Sequence, residues 1–406
     1  MDRIIGIFGL AIFILIAYLF STNRKKVDWK LVTIGVVLQV IFALLVLKVP
    51  LGQKFFQFAS NIIDKLLQFT TEGTAFVFGD LVNVNKIGFI FALQVLPTII
   101  FFSALMSVLY HLGVMQFFIS IISKGLAKIL GTSGAETLSA VANIFVSQNE
   151  APLIIKPYIG KMTKSELYSV MVGGMATVAG SVMAGYVAMG VSAGHLLAAS
   201  VMSAPASLVI AKIMIPETEE PLTKNSIELK NEKTATNIIE AAANGAIDGI
   251  QIAFNVGGLL IAFIALIALL NFLLGWLGGL VGADYFSLSW IFGKLFSPVA
   301  YIMGIPTKDI AVAGDLLGQK VVLNEFVAYA NLSPLISSGQ LTEKTIVILT
   351  YALCGFANFS SIAVQIASIG GVAPEKRRDV AKLGLKAVLG GSLAAFMTAA
   401  IAGVLL

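Results

Sequence analysis

Long apolar runs alternate with short polar connectors along almost the whole chain. Runs long enough to cross about 30 Å of hydrocarbon appear near 4 to 20, 31 to 48, 87 to 112, 166 to 190, 194 to 215, 250 to 278, 343 to 369 and 380 to 405. They predict eight transmembrane helices. Residues 51 to 80 are Phe-rich and moderately apolar but carry Lys54, Asp64, Lys65 and Glu72, the pattern of an interfacial helix rather than a span. Similar amphipathic pieces lie at 114 to 130 and 234 to 248. Two further stretches, 133 to 160 and 306 to 334, are apolar but interrupted near their centres by Asn, Gln, Glu, Gly and Pro. They read as re-entrant hairpins that enter the membrane and return on the same side, because non-helical backbone at that depth is tolerated only beside a protein-lined cavity.

The sharpest departure from apolar pattern is Asn143 to Pro152, Asn-Ile-Phe-Val-Ser-Gln-Asn-Glu-Ala-Pro. A charged group at membrane depth costs at least about 2.5 to 3.5 kcal/mol, so Glu150 has to face protein or water, and a substrate or ion site is the default reading. Single Asn, Ser and Thr residues in a membrane helix more often bond their own backbone or a neighbouring helix. Thr177, Ser181 and Ser360 taken alone therefore say little. A mid-membrane carboxylate is different, and Glu325 in the second hairpin repeats the case of Glu150. Lys320 is the cation nearest to Glu325 in sequence, and an ion pair is the plain structural alternative.

Composition agrees with the pattern. The 406 residues are 58% hydrophobic and 12% charged, with a mean hydropathy of +0.93, whereas soluble domains are roughly 25% charged. One cysteine, Cys354, excludes an internal disulfide framework and a cysteine metal cluster, and two histidines, His111 and His195, leave little for zinc or haem. The net charge of +5 does not indicate a nucleic-acid partner, since the basic residues sit in short loops between apolar runs. The first run lacks a small-residue cleavage site and reads as a retained helix.

Loop charge predicts orientation. Placing Arg24, Lys25, Lys26 and Lys30 inside also puts Lys124 and Lys128, Lys156 to Lys164, Lys224 to Lys233 and Lys376 to Arg378 inside. Both termini then lie on the outer side. Each hairpin is followed by a span with a polar break, Ala176-Thr177-Val178-Ala179-Gly180-Ser181 after the first and Ala357-Asn358-Phe359-Ser360-Ser361 after the second. The two hairpins enter from opposite sides, so the units are inverted repeats, a recurring plan of secondary transporters with the site near the midplane. The expected architecture is an all-α polytopic membrane protein of eight transmembrane helices and two opposed re-entrant hairpins, with broken helices and interfacial helices. Its expected divisions are 1–112 (scaffold spans 1 to 3 with an interfacial helix), 113–249 (first hairpin, spans 4 and 5, interfacial helix), 250–300 (span 6 and an external segment) and 301–406 (second hairpin, spans 7 and 8).

Several stretches resemble the concentrative nucleoside transporters. They are Phe91 to Leu105, Ser147-Gln148-Asn149-Glu150-Ala151-Pro152, Gly174 to Ser181, Asn244 to Gly249, Leu323 to Tyr329 and Cys354 to Ser361, in family order across the chain. The start is similar to the shorter bacterial form. The resemblance implies a homotrimer in the cell inner membrane, in contact with lipid, each protomer importing nucleosides such as uridine, cytidine or adenosine by an elevator-type mechanism. It implies base contacts from Gln148, Asn149, Glu150 and Val182, and ribose contacts from Glu325, Phe356, Asn358 and Ser361. It also implies sodium as the coupling ion, held by the Asn143 and Thr177 side chains and the Val146 and Val178 carbonyls.

The residue types suit that chemistry. A nucleoside's base and ribose donate and accept hydrogen bonds, which calls for amides and carboxylates, whereas nucleotide phosphates call for Arg or Lys. Ser147 and Asn149 depart from the family's usual Gly and Thr, which leaves base preference open. Two other readings stand beside this one: a proton-coupled nucleoside symporter, and a re-entrant-loop carrier for another small polar solute. An enzyme is not expected, because neither carboxylate has a nucleophile with a base beside it, or a metal set.

Overall fold

The structure is a computed structural model and describes residues 2–224, 235–280, 282–283 and 285–406. Beyond Lys224, the basic stretch Lys224 to Lys233 lies outside these residues. All regular structure among the described residues is helical. The amino-terminal part comprises α1 (Asp2–Leu19), α2 (Trp29–Leu47), α3 (Pro50–Phe78), α4 (Leu96–His111) and α5 (Val114–Leu130). Next come α6 (Gly134–Ala142), an irregular segment with two one-turn helices, α7 (Lys164–Ala176), α8 (Gly180–Ala188) and α9 (Ala193–Met214). The remainder is α10 (Ile238–Leu280), α11 (Leu288–Ile302), α12 (Ile310–Val322), α13 (Glu325–Ser337), α14 (Glu343–Leu353), α15 (Ser360–Val372) and α16 (Arg377–Leu405).

Six described segments are long and apolar enough to cross a membrane: α2, Phe91–His111, Lys164–Ala188, α9, α10 and Pro374–Leu405. The predicted first span is a shorter apolar helix, and the predicted seventh is divided into α14 and α15 by residues 354 to 359. One boundary differs from the sequence reading. The amphipathic piece expected at 234 to 248 and the span expected at 250 to 278 are one continuous 43-residue helix from Ile238. At 1.5 Å per residue it is about 65 Å long, far more than the hydrocarbon thickness. Gly249 lets this helix press against α4, because a Cβ there would lie 2.7 Å from Ile100 Cα. Ser107 of α4 adds a hydrogen bond to the Ala241 carbonyl at 2.7 Å.

The buried core belongs to the later helices. α16 packs against α7, α9, α14 and α1, and α2 packs against α9. Phe13 of α1 meets Phe396 of α16 with ring centroids 5.9 Å apart. By contrast α10 turns Ile247, Phe254, Ile261, Phe272 and Trp276 outwards, apolar surface of the kind that lipid or another membrane helix covers.

Local sequence fixes the base of each hairpin. Ser133 and Glu136 form a capping box at the start of α6, and Thr163 and Glu166 form another at the start of α7. The boxes are joined, since Ser133 Oγ also donates to Glu166 Oε1 at 2.6 Å. Lys212, only 6% exposed at the end of α9, closes the cluster with Nζ 2.8 Å from Glu136 Oε2 and 3.3 Å from Glu217 Oε2. The second unit uses an acidic clasp instead. Asp309 Oδ2 accepts from the Thr342 backbone N–H and hydroxyl, at 3.1 and 2.8 Å, and from the Thr345 hydroxyl at 2.6 Å. Thr342 is the N-cap of α14, so Asp309, just before α12, is tied to the cap of α14 much as Ser133, the cap of α6, is tied to the capping box of α7.

Removing one partner of a buried ion pair strands the other charge and costs about 3 to 5 kcal/mol. Lys212→Met is expected to lower the thermal unfolding temperature of the detergent-solubilised protein, and adding Glu136→Gln is expected to recover part of the loss. An unchanged unfolding temperature for Lys212→Met would show that the cluster does not brace the fold.

Candidate functional site

Four interruptions of helical structure meet in the interior. The first is the segment from Asn143 to Glu150. The second, residues 177 to 179, separates α7 from α8, the third is Leu323 and Asn324, and the fourth is residues 354 to 359. Breaking a helix frees N–H and C=O groups that have to be satisfied inside a protein buried in lipid. Here the breaks satisfy one another. The Gly180 N–H donates to the Phe145 carbonyl at 3.0 Å, and the Phe356 N–H donates to the Thr177 carbonyl at 3.3 Å. Gly355 makes the second junction possible. Its φ of +151° is one that L side chains rarely adopt, and a Cβ would sit 2.8 Å from the Met175 carbonyl oxygen.

Side chains complete the ring. Gln148, 7% exposed, donates to Ser361 Oγ at 3.0 Å and accepts from Gln365 Nε2 at 3.2 Å. Gln365 is itself anchored on the Met171 carbonyl at 2.9 Å. Glu325 is the first residue of α13, behind Asn324, whose Oδ1 caps the helix by accepting from the Val327 N–H at 2.9 Å. The carboxylate therefore lies at a helix N-terminus, where the backbone dipole favours negative charge. It is 3% exposed, accepting from Asn358 Nδ2 at 2.9 Å and from the Tyr186 hydroxyl at 3.3 Å. Asn358 is held by its other end, where Oδ1 accepts from the Ser361 N–H and the Ser360 hydroxyl at 2.9 and 2.7 Å.

The structure thus brings Gln148, Glu325, Asn358 and Ser361 into one network from hairpin and broken-helix elements of both units. Val182 is buried in the first turn of α8, and Phe356 is half-buried in the break before α15. Asn149 and Glu150 are exposed. Glu150 Oε2 accepts from the Ser147 N–H and hydroxyl at 2.8 and 2.9 Å, a local turn that leaves the other oxygen available. Two members of the network escaped the sequence reading. Tyr186 lies one turn beyond Val182, and Gln365 one turn beyond Ser361, an amide at helical spacing that pattern alone made visible.

The four expected cation ligands are also buried and close to the first two breaks. Asn143 is the C-cap of α6 and Thr177 that of α7. Asn143 Nδ2 donates to the Ser139 carbonyl at 2.8 Å, while its Oδ1, buried, has no hydrogen-bond partner among the described residues. The Thr177 hydroxyl donates to the Gly173 carbonyl at 2.9 Å, so its lone pairs point elsewhere. Among the described residues neither the Val146 nor the Val178 carbonyl accepts a hydrogen bond. An orphaned amide oxygen, a hydroxyl and two free carbonyls are hard donors that fit a small cation.

Comparison with known proteins places this architecture. Residues 8–81 and 195–403 match the amino- and carboxy-terminal models described as Na+ dependent nucleoside transporter, and residues 92–193 match a model described as nucleoside recognition. The Helicobacter pylori nucleoside permease NupC is 44% identical, with 99% of this chain and 97% of that protein aligned. The mouse sodium/nucleoside cotransporter 1 is 38% identical over 100% of this chain and 64% of its own length. The solved structure of CNTnw in an inward-facing substrate-bound state superposes with a TM-score of 0.95 at 47% identity, covering 100% of this chain and 98% of that one. A ring of mutually satisfied helix breaks, family models along most of the chain and near-complete superposition agree: this all-helical, multi-pass membrane protein belongs to the concentrative nucleoside transporter family.

Proposed function

We propose that the chain imports nucleosides across the cell inner membrane by sodium-coupled symport, in an elevator-type movement of the unit that holds the site. The observation that carries this reading is the joining of both halves of the expected ligand set. Gln148 of the base-side group bonds Ser361 of the ribose-side group at 3.0 Å. A polar ligand seated between the hairpins would meet amides, hydroxyls and two carboxylates, partners for a base and a sugar. A set of amides, hydroxyls and carboxylates fits a nucleoside rather than a nucleotide, whose phosphates call for Arg or Lys. Gln148, Asn149, Glu150 and Val182 take the base, and Glu325, Phe356, Asn358 and Ser361 take the ribose. The unpartnered Asn143 Oδ1 supports a metal cation over a proton, since a neutral amide cannot serve as a proton carrier near pH 7. Asn143, Thr177 and the Val146 and Val178 carbonyls hold it.

Every proposed ligand lies in the two hairpins and their broken helices, so the site can move as one body with its cargo. The packing refines the division into moving and fixed parts. α1 and α2, assigned to the scaffold on sequence grounds, rest on α16 and α9, so we place them with the moving unit. α3, α4 and α10 remain as scaffold. The outward apolar face of α10 supports its role as a trimer or lipid surface.

Three outcomes test this reading. Losing a hydrogen bond to a charged group costs roughly 1.5 to 3 kcal/mol, on the order of tenfold or more in affinity. Glu325→Gln is expected to weaken all nucleosides by about that factor in calorimetric titration, and Glu150→Gln to weaken some bases more than others. Full-strength uridine binding by Glu325→Gln would remove that residue from the site. In proteoliposomes, Asn143→Ala and Thr177→Val are expected to raise the sodium concentration for half-maximal uridine uptake. Linkage requires sodium and uridine to tighten each other's binding by one shared factor; uptake indifferent to sodium but driven by a pH gradient would assign proton coupling instead. Finally, in a Cys354→Ser background, a cross-link between the first hairpin and α4 is expected to stop uptake while preserving uridine binding. Uptake at the untethered rate would replace the moving unit with a local gate.

A further inference from the structure

Lys320 has no task in the site described above. It lies in the last turn of α12, is 0% exposed, and its Nζ has no hydrogen-bond partner among the described residues. The ion pairs among the described residues are Lys86–Asp80, Lys212 with Glu136 and Glu217, and Lys224–Glu220. The direct Lys320–Glu325 pair that the sequence allows is therefore absent from that set. A bare ammonium in the interior is strongly disfavoured without compensating charge. Its surroundings are the Phe396 ring face, 5.6 Å to the centroid, and, within electrostatic reach, Glu325 and Cys354. The ring supplies a cation–π attraction, and of the two titratable neighbours only Glu325 bears a full negative charge as a carboxylate. Glu325 in turn has both oxygens engaged by neutral donors, Tyr186 and Asn358, and no cation in contact. The two buried charges interact without forming an ion pair among the described residues.

The repeat shows where this ammonium stands. In the first unit Asn143 ends the hairpin's first helix and Thr177 ends the half-helix after it, and both offer oxygen. The equivalent positions in the second unit are Leu323 and Cys354, which offer no hard donor. Lys320, one turn before Leu323, brings a covalently attached cation towards that same Cys354 corner. We propose that Lys320 is the built-in counter-charge of Glu325, a positioning residue that takes in the second unit the part a mobile cation takes in the first. The pairing favours the ionised form of Glu325 for its ligand, with no second bound cation required on that side.

The binding half of this inference rests on the nucleoside reading, and the charge-pairing half does not, so the two are tested apart. Thermal unfolding without ligand is measured for wild type, Lys320→Met, Glu325→Gln and the double variant. Coupled charges give a non-additive cycle, with the double variant more stable than Lys320→Met alone. A residue that only fills space gives additive shifts, which overturns the pairing. If Lys320→Met yields no folded protein, recovery of folded protein in the double variant supports the pairing, and failure of both overturns it. Uridine titration supplies the second arm. Lys320→Met is expected to weaken binding about tenfold or more, while the double variant binds no worse than Glu325→Gln. Equal uridine affinity in wild type and Lys320→Met would overturn the positioning role. A wild type that binds no uridine while the unfolding cycle is non-additive would sink the nucleoside reading and leave the charge pair standing.

Discussion

A helix cannot be interrupted at membrane depth unless the groups it releases find partners, and the centre of this protein is one answer to that constraint. Four interruptions come together, and each repairs another: Gly180 with Phe145, Phe356 with Thr177, Asn358 with Glu325, Gln148 with Ser361. No single break would be tolerable alone. Their convergence creates a polar interior within an otherwise apolar bundle, and it couples the two units, since Phe356 with Thr177 and Gln148 with Ser361 each join one unit to the other.

Under the proposed elevator movement, the same arrangement lets the site be both rigid and movable. Rigidity comes from the hydrogen bonds within the ring and from the capped hairpin bases, where Lys212 with Glu136 and Asp309 with Thr342 and Thr345 fix each entry. Movement is left to surfaces without such ties. The contact between α4 and α8 sets Gly185 against the apolar Ile99 side chain, and α10 is largely apolar on its outer side. A unit whose polar contacts are internal slides more readily than one whose polar contacts cross the sliding surface, because no buried hydrogen bond has to break in transit. Placing α1 and α2 with that unit follows from the same argument, as their packing partners are α16 and α9.

Charge is distributed to match. Each hairpin carries a carboxylate at or near its centre, but the two are held differently. Glu150 is exposed and bound to its own turn through Ser147, while Glu325 is buried at a helix N-terminus with donors from α8 and from the break before α15. On the proposed nucleoside reading, the exposed carboxylate has room to adapt to different bases, and the buried one presents a fixed acceptor to a constant sugar.

The sequence by itself determined the membrane class, the helical content and the polar interruptions, because each depends on local composition: an apolar run long enough to span, a carboxylate that lipid forbids, a Ser or Thr three residues before a Glu. Polar clustering within apolar runs marked both hairpin centres and the two broken spans, Glu150 and Glu325 among them, and within those stretches the family resemblance singled out Gln148, Asn358 and Ser361. Only the tertiary structure decided the rest. That Tyr186 reaches Glu325, that Gln365 braces Gln148, and that α10 continues through both its amphipathic and its spanning part are matters of which helix faces which. Lys320 makes the difference plain. In sequence it is a cation five residues from a carboxylate, suited to a simple ion pair; in space it is a fully buried charge with no ion pair to Glu325 among the described residues, backed by Phe396 from the far end of the chain, and a helix break lies between the two.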